Sequence, residues 1–144
     1  MRAVVQRVKW AKVEVNKQTV SEIGKGLLVL LGIRKNDTAD KAKKMAEKLV
    51  KLRIFEDEAN KMSKSLTDVK GQILLVSQFT LIADTKKGNR PSFIQAEEPE
   101  KAKKIYKLVV NELSSKVVVK TGVFGQYMQV SLQNDGPVTI ILDI

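Results

Sequence analysis

The stretch QILLVSQFTLIA, residues 72–83, decides how this chain folds. Its apolar run predicts a long, mostly buried strand. A second run of the same kind, LLVLLGI at residues 27–33, predicts another buried strand. Buried strands must be covered by other elements, so the segments on either side of these two runs decide the architecture.

Further strands and two helices are predicted around these two runs. Strands are expected at residues 1–15, 18–23, 53–55, 117–120, 126–133 and 138–144. One helix, capped by Asp37 or Thr38, is expected to run through Val50 or beyond. A second helix is expected from Pro99 to about Ser114, because proline is tolerated in a first helical turn.

The order of these elements is strands, helix, strands, helix, strands, with polar loops expected at residues 60–71 and 85–93. This order predicts an α+β fold. We expect a largely antiparallel or mixed, barrel-like β-sheet with two main helices packed on it. At this length the chain is expected to form a single domain over residues 1–144.

Two residue types are missing, and their absence restricts the possible chemistry. The chain has no cysteine and no histidine. It therefore cannot form disulfides, Ser-His or Cys-His catalytic pairs, or zinc sites with nitrogen or sulfur ligands. An enzyme built from it must use carboxylates, lysines, hydroxyls, backbone dipoles or its own substrate.

The net charge of +10 at pH 7 favours a polyanionic partner such as a nucleic acid. A solvated Lys/Glu surface, as is enriched in hyperthermophiles, explains the same composition, so both explanations stay open. No apolar run approaches the ~18–20 residues of a membrane helix, and the basic N-terminal stretch has no signal-peptide apolar core or cleavage site. The expectation is a soluble, cytoplasmic protein that does not bind membranes.

Ser77, Gln78, Phe79 and Thr80 interrupt the buried strand with two hydroxyls and an amide. Buried polar groups without partners cost about 1–3 kcal/mol each, so these side chains need partners. They either pair with backbone or face solvent, as in an ordinary strand. Alternatively, they form a pocket wall in which backbone N–H groups and a hydroxyl hold an oxyanion.

The segment from Lys86 to Phe93 reads KKGNRPSF and combines cations with glycine and proline. Lys86, Lys87 and Arg90 suit contact with phosphates, although an exposed basic turn would look the same. Near the C-terminus, GVFG at residues 122–125 suggests a bulge or close backbone approach, a pattern that is more often structural.

Asn134, Asp135, Gly136 and Pro137 lie between two apolar runs. Only about 5–6% of X-Pro bonds in folded proteins are cis, so an ordinary turn is the simplest interpretation of this tetrapeptide. A shaped backbone device is the alternative, since Pro137 removes a backbone donor.

Taken together, SQFTL at residues 77–81 and NDGPVT at residues 134–139 resemble the D-aminoacyl-tRNA deacylase family, which removes D-amino acids from tRNA. The resemblance covers essentially the whole chain and also includes QRV at 6–8, GLLVLLG at 26–32, RIF at 53–55, RPSF at 90–93 and GVFG at 122–125. A sister family that acts on L-alanyl-tRNA has an altered SQFTL and a trans Gly-Pro bond. Phe79 and the complete NDGPVT point to the D-specific branch.

The resemblance implies a homodimer with active sites at its interface and a tRNA carrying a D-amino acid or glycine as substrate. It implies that the Gly136-Pro137 bond is cis and enters the partner's pocket, where its carbonyls exclude an L side chain. Asn134, Asp135 and Thr139 would support this segment. Glycyl-tRNA would be cleaved because glycine has no side chain to reject.

Catalytic roles are expected for Ser77, Gln78, Phe79 and Thr80, with no metal and no cofactor. Thr80 is a nucleophile by residue type, but a hydroxyl needs an adjacent base and SQFTL contains no acid. The resemblance suggests instead that the terminal ribose hydroxyl of the tRNA helps activate water, while the protein supplies an oxyanion hole. Two other classes remain open: a non-catalytic tRNA- or RNA-binding homodimer, and a purely structural homo-oligomer.

Overall fold

The computed structural model describes residues 1–86 and 88–144. Its longest antiparallel pairing joins β1 (Arg2–Val15) and β8 (Gln129–Asp143) near the two chain ends. The other strands are β2 (Gln18–Ile23), β3 (Gly26–Gly32), β4 (Phe55–Glu56), β5 (Met62–Lys64), β6 (Gln72–Ser77) and β7 (Val118–Thr121). The helices are α1 (Ala39–Lys51) and α2 (Pro99–Ser114), with a 3₁₀-helix at Phe79–Ile82.

The main sheet is mixed and nearly closes into a barrel. Strands β2, β3 and β8 pair antiparallel with β1, whereas β6 pairs parallel with both β3 and β7. The Ser21 hydroxyl of β2 donates a 2.6 Å hydrogen bond to the Thr121 carbonyl of β7, which brings the two ends of the strand order together. The predicted barrel-like α+β fold with two main helices is confirmed.

The two helices cover one side of the sheet and begin where the sequence predicts. Thr38 is the N-cap of α1, since its side chain accepts a 3.4 Å hydrogen bond from the Lys41 N–H. Asp37 instead lies buried before the helix, where its carboxylate accepts from the Arg34 N–H at 2.8 Å. Helix α2 has Pro99 in its first turn and buries one face, formed by Ala102, Tyr106, Val109 and Leu113.

The strand predicted over residues 72–83 is too long. Strand β6 ends at Ser77, and residues 79–82 form the 3₁₀-helix. The last ladder bond runs from the Gln78 N–H to the Leu31 carbonyl at 2.8 Å, after which β3 itself ends at Gly32. A Cβ at Gly32 would lie only 2.9 Å from the Gln78 carbonyl oxygen, so this glycine lets the 3₁₀-helix pack directly on the end of β3.

The turn predicted at Asn134–Pro137 is wrong. Strand β8 continues through these residues, because β1 is long enough to pair with β8 on both sides of them. The register shifts twice, between Gln6 and Val8 and between Val8 and Trp10, which absorbs the irregular residues without ending the strand. In the described structure β8 pairs only with β1, and an edge strand tolerates a proline that lacks an N–H.

Smaller differences occur around residues 53–71. The short strand starts at Phe55 rather than Arg53, and the predicted polar loop contains β5, which pairs with β4. These two strands form a separate two-stranded sheet.

Candidate active site

A cavity of about 570 Å³ opens where β6 ends and the 3₁₀-helix begins. Three of the predicted site residues, Ser77, Gln78 and Phe79, line it. The remaining walls come from the ends of β3 and β6, the segment that leads into α2 with its first turn, and the chain from β7 into β8. They comprise Leu31, Ile33, Val76, Phe93, Ala96, Glu97, Glu98, Pro99, Ala102, Phe124, Gly125, Gln126, Tyr127, Met128 and Val130. The cavity is therefore assembled from segments that are far apart in sequence.

The turn from β6 into the 3₁₀-helix leaves backbone donors free at the cavity. The Gln78 N–H is used by the Leu31 carbonyl, and the Leu81 N–H donates to the Gln78 carbonyl at 3.3 Å. Among the described residues, no acceptor pairs with the N–H groups of Phe79 and Thr80, and no side chain caps this helix. Free N–H groups at the start of a helical turn can bind a developing oxyanion.

Thr80 is exposed and held by its neighbour. Its hydroxyl oxygen lies 2.5 Å from the Gln78 side-chain amide nitrogen, which donates the hydrogen bond. In the described part of the chain, no carboxylate or amine hydrogen-bonds to this hydroxyl. Gln78 can orient Thr80, but an amide N–H cannot accept its proton, so nothing here activates Thr80 as a nucleophile.

Aromatic side chains form the exposed rim of the cavity. Phe79 and Phe93 meet edge to face with their ring centroids 5.1 Å apart, and 59% of Phe79 is exposed. Tyr127, on the other rim, is 88% exposed. Large exposed aromatic groups beside a cavity mark a surface that a ligand or another chain covers.

Phe124 and Gly125 of the GVFG segment line the cavity, and Tyr106 packs against this segment. The Tyr106 hydroxyl donates a 2.8 Å hydrogen bond to the Leu75 carbonyl, and its ring lies 5.7 Å from that of Phe124. Burial raises the pKa of the Tyr106 hydroxyl far above its ordinary value, so it stays a neutral donor. The Gly122 N–H also donates to the Leu75 carbonyl, at 3.0 Å, which ties the wall to β6.

Two carboxylates that the sequence did not indicate as site residues also line the cavity. Glu97 and Glu98 immediately precede α2, and the Glu97 carboxylate accepts a 2.9 Å hydrogen bond from the Glu98 N–H. Their only sequence signal is the acidic run before Pro99, which is also typical of an ordinary helix start. Their proximity to SQFTL is decided by the packing of α2.

The segment 134–139 lies elsewhere in the subunit. None of its residues is among the described side chains that line the cavity. The Gly136-Pro137 bond is cis, and both residues are exposed. Gly136 has φ +132°, a conformation that favours glycine.

Arg7 holds this segment from the inside of the sheet. Only 4% of Arg7 is exposed, and its guanidinium donates to the Asp135 carbonyl at 2.9 Å and the Ile54 carbonyl at 2.6 Å. It also lies 3.5 Å from the Asp135 carboxylate and 3.4 Å from that of Glu56. Hydrogen bonds from a buried guanidinium fix the path of the backbone just before Gly136.

The basic loop predicted to contact phosphates precedes Phe93 in the chain. An antiparallel bridge between Asp84 and Ser92 closes its base. Lys86 and Arg90 are exposed and form no salt bridge within the described residues. Lys87, the third predicted cation, lies outside the described residues.

Two further features of the described residues limit what the chain can hold. No group of three or more Asp or Glu side chains is placed to hold a metal ion. Neither α1 nor α2 combines the length and the apolar character that a membrane-spanning helix requires.

The chain is similar to a well-populated group of proteins. The family model described as D-Tyr-tRNA(Tyr) deacylase matches residues 4–143. The protein named D-aminoacyl-tRNA deacylase from Thermosipho melanesiensis is 53% identical, with 99% of this chain and 97% of that protein covered. Its namesake from Lactobacillus gasseri is 54% identical over the whole of both chains.

Solved structures agree on the fold. The c-Myc DNA Unwinding Element Binding Protein superposes with a TM-score of 0.95 at 47% identity, covering 100% of this chain and 99% of that one. A structure described as a probable eukaryotic D-amino acid tRNA deacylase has a TM-score of 0.85 over 99% of this chain and 98% of that one. At 19% identity, the similarity to this second structure is evidence for the fold alone.

Proposed function

We propose, from the premise that this chain belongs to the D-Tyr-tRNA(Tyr) deacylase family, that it hydrolyses the ester bond of D-aminoacyl-tRNA and releases free tRNA and the D-amino acid. The observation that supports this most directly is the pair of free N–H groups at Phe79 and Thr80 beside an open cavity. Ester hydrolysis passes through an oxyanion that such donors stabilise.

The mechanism uses the protein for positioning and the substrate for activation. Ser77 and Gln78 line the cavity and position the ester, while the N–H groups of Phe79 and Thr80 receive the oxyanion. The terminal ribose hydroxyl of the tRNA helps activate the attacking water, because Thr80 contacts an amide donor rather than a base. Glu97 and Glu98 give this part of the cavity negative charge, which favours the ammonium group of an aminoacyl ester over a free carboxylate.

Selection against L-amino acids is assigned to the segment around Gly136 and Pro137, acting across a homodimer. Among the described residues, none of this segment lines the cavity of its own subunit. Gly136 and Pro137 are nevertheless exposed, and Arg7 holds the segment by a hydrogen bond to the Asp135 carbonyl. A second subunit can therefore present its Gly136 and Pro137 carbonyls to the cavity, with Asn134, Asp135 and Thr139 as supports. An L side chain clashes with those carbonyls, whereas glycine has no side chain and glycyl-tRNA is also cleaved.

The basic loop is assigned to tRNA phosphates through Lys86, Lys87 and Arg90. The exposure and lack of ion pairs at Lys86 and Arg90 support this. Replacing Lys86 and Arg90 with Gln should make the salt dependence of tRNA binding shallower by roughly 1–2 units of log–log slope. Filter binding from low to high salt measures the slope, and an unchanged slope would remove the loop from the tRNA-binding surface.

Residues 1–144 are assigned to one deacylase domain, because the family model spans nearly all of them. The cytoplasm is the proposed location, since aminoacyl-tRNA is used there in translation.

The decisive experiment compares the two enantiomers on one tRNA. With the same tRNA charged with D-tyrosine or L-tyrosine, the D ester should be cleaved much faster. Equal rates for the two esters would contradict chiral selection. Binding of both without cleavage of either would favour a non-catalytic RNA-binding protein, and absence of tRNA binding at physiological salt would favour a purely structural oligomer.

A further inference from the structure

A second cavity, of about 440 Å³, shares Phe124 with the candidate active site. Helix α2 forms one wall and the segment that follows β7 forms the other. The lining residues of α2 are Lys103, Tyr106, Lys107, Val110 and Asn111, and those of the opposite wall are Thr121, Gly122, Val123 and Phe124. We call this space the α2 groove.

The α2 groove adjoins the active-site cavity. Phe124 lines both spaces, and the chain passes from one to the other along residues 121–128. On α2 the division falls between Ala102, which faces the active site, and Lys103, which faces the groove. A polymer whose end occupies the active site can therefore continue into the groove.

The charge on this part of α2 is not explained by the stability of the helix. Lys101, Lys103, Lys104 and Lys107 all lie in its first nine residues, and the helix dipole disfavours a cation in the first turn, where Lys101 lies. Lys103 and Lys107 are four residues apart, a spacing at which like charges destabilise a helix. Within the described residues all four lysines are exposed and none forms a salt bridge.

The groove also has an apolar floor beside its cations. Val110, Val123, Phe124 and the ring of Tyr106 provide it, and Asn111 also lines the groove. Ammonium groups above an apolar and aromatic floor match single-stranded RNA, in which phosphates alternate with sugars and bases. A folded acidic protein would need a broader surface than this narrow space offers.

We infer that the α2 groove binds the single-stranded 3′ end of the tRNA, immediately 5′ of the terminal nucleotide whose ester occupies the active site. Lys103 and Lys107 pair with its phosphates, and Phe124 separates the terminal nucleotide from the preceding one. This inference rests on the proposed function, because it takes the terminal aminoacyl ester to be in the neighbouring cavity.

The test compares two substrates that differ only in what precedes the ester. One is D-tyrosyl-tRNA, and the other is the D-tyrosyl ester of adenosine, which has no phosphate. The variant Lys103→Gln with Lys107→Gln should lower the ratio of kcat/KM on tRNA to kcat/KM on the adenosine ester by several-fold. The loss should lie mainly in KM for tRNA, and the salt dependence of kcat/KM should become shallower by roughly 1–2 units.

A matched control is available on the other helix. Lys44 and Lys48 of α1 are also four residues apart, exposed and without a salt bridge among the described residues. Lys44→Gln with Lys48→Gln removes the same charge and should leave the ratio unchanged. Lys103→Arg with Lys107→Arg should keep the wild-type ratio, since guanidinium groups also pair with phosphates.

The possible results distinguish failure of the α2 groove from failure of the proposed deacylase function. If the ratio falls equally in the α1 and α2 double variants, the groove is not the RNA-binding site, and the loss is a general effect of the removed charge. Equal losses on both substrates in the α2 variant would also overturn it, because the defect would then lie in the active site. If wild-type protein cleaves neither D ester, the proposed function fails first, and the groove fails with it.

Discussion

Thr80 shows how the surroundings of one residue decide its chemistry. By type it is a nucleophile, yet its hydroxyl accepts from the Gln78 amide and the chain has no histidine. We expect Thr80→Ala to retain most activity, with a loss of less than about tenfold, because only a positioning contact disappears. Replacing the terminal ribose 2′-hydroxyl of the tRNA by hydrogen should abolish hydrolysis of a 3′ ester by the wild-type protein.

Single-turnover hydrolysis of 3′-linked D-tyrosyl-tRNA measures both effects. The deoxy substrate should still bind with ordinary affinity, which separates a lost reaction from lost recognition. A covalent aminoacyl adduct trapped on Thr80 would rule out the substrate-assisted route.

At the scale of elements, the site depends on how closely the 3₁₀-helix packs on β3. A Cβ at Gly32 would lie 2.9 Å from the Gln78 carbonyl oxygen and 3.0 Å from the Leu81 Cβ. The backbone oxygen cannot move away without shifting the whole turn, so Gly32→Ala should displace the N–H groups of Phe79 and Thr80. Misplacement of about 1 Å at a reacting centre can lower the rate by about 100-fold. We therefore expect Gly32→Ala to lower kcat by about 10- to 100-fold.

Gly24→Ala is the matched control for that change, because nothing lies within 4 Å of the Cβ it would introduce. It should leave kcat at the wild-type value. Hydrolysis rates and thermal unfolding of both variants check this, and wild-type kcat in folded Gly32→Ala would refute the proposed role of the 3₁₀-helix.

At the scale of the whole molecule, the proposed function pairs Gly136 of one subunit with the cavity of the other. One chain carries Gly136→Ala, which places a Cβ on a backbone with φ +132°. This Cβ would lie 2.9 Å from the Val138 backbone nitrogen and 3.3 Å from the Arg7 guanidinium. The other carries Ser77→Ala with Gln78→Ala, which removes polar groups from the cavity. Each homodimer should be nearly inactive, whereas the mixed dimer should recover up to about one active site in two.

Recovery also proves that the Gly136→Ala chain is folded, since its own cavity must then function. The measurement is D-tyrosyl-tRNA hydrolysis by mixed dimers purified with two different tags, with the homodimers as controls. If confirmed mixed dimers of folded chains show no recovery, the segment acts within its own subunit.

The sequence by itself determined the local elements and the kind of chemistry. Helical spacing and Pro99 place α2 at Pro99–Ser114, and the apolar run places β3, because both depend on nearby residues. The absence of histidine and cysteine limits catalysis to carboxylates, lysines, hydroxyls, backbone dipoles and the substrate. The motifs SQFTL and NDGPVT indicate the family, since their residues and order are visible without a structure.

Only the tertiary structure decided how these pieces meet. Asn134–Pro137 looks like a turn, but β1 supplies a ladder partner on both sides and keeps β8 continuous. Ser77–Leu81 looks like strand, but β3 ends at Gly32 and the 3₁₀-helix packs over its end. Glu97 and Glu98 join the cavity because the segment before α2 pairs with residues 33–35, just after β3, and Phe93 joins it through its contact with Phe79. The physical reason is the same in each case: pairing partners and close contacts distant in sequence outweigh the preference of a few neighbouring residues.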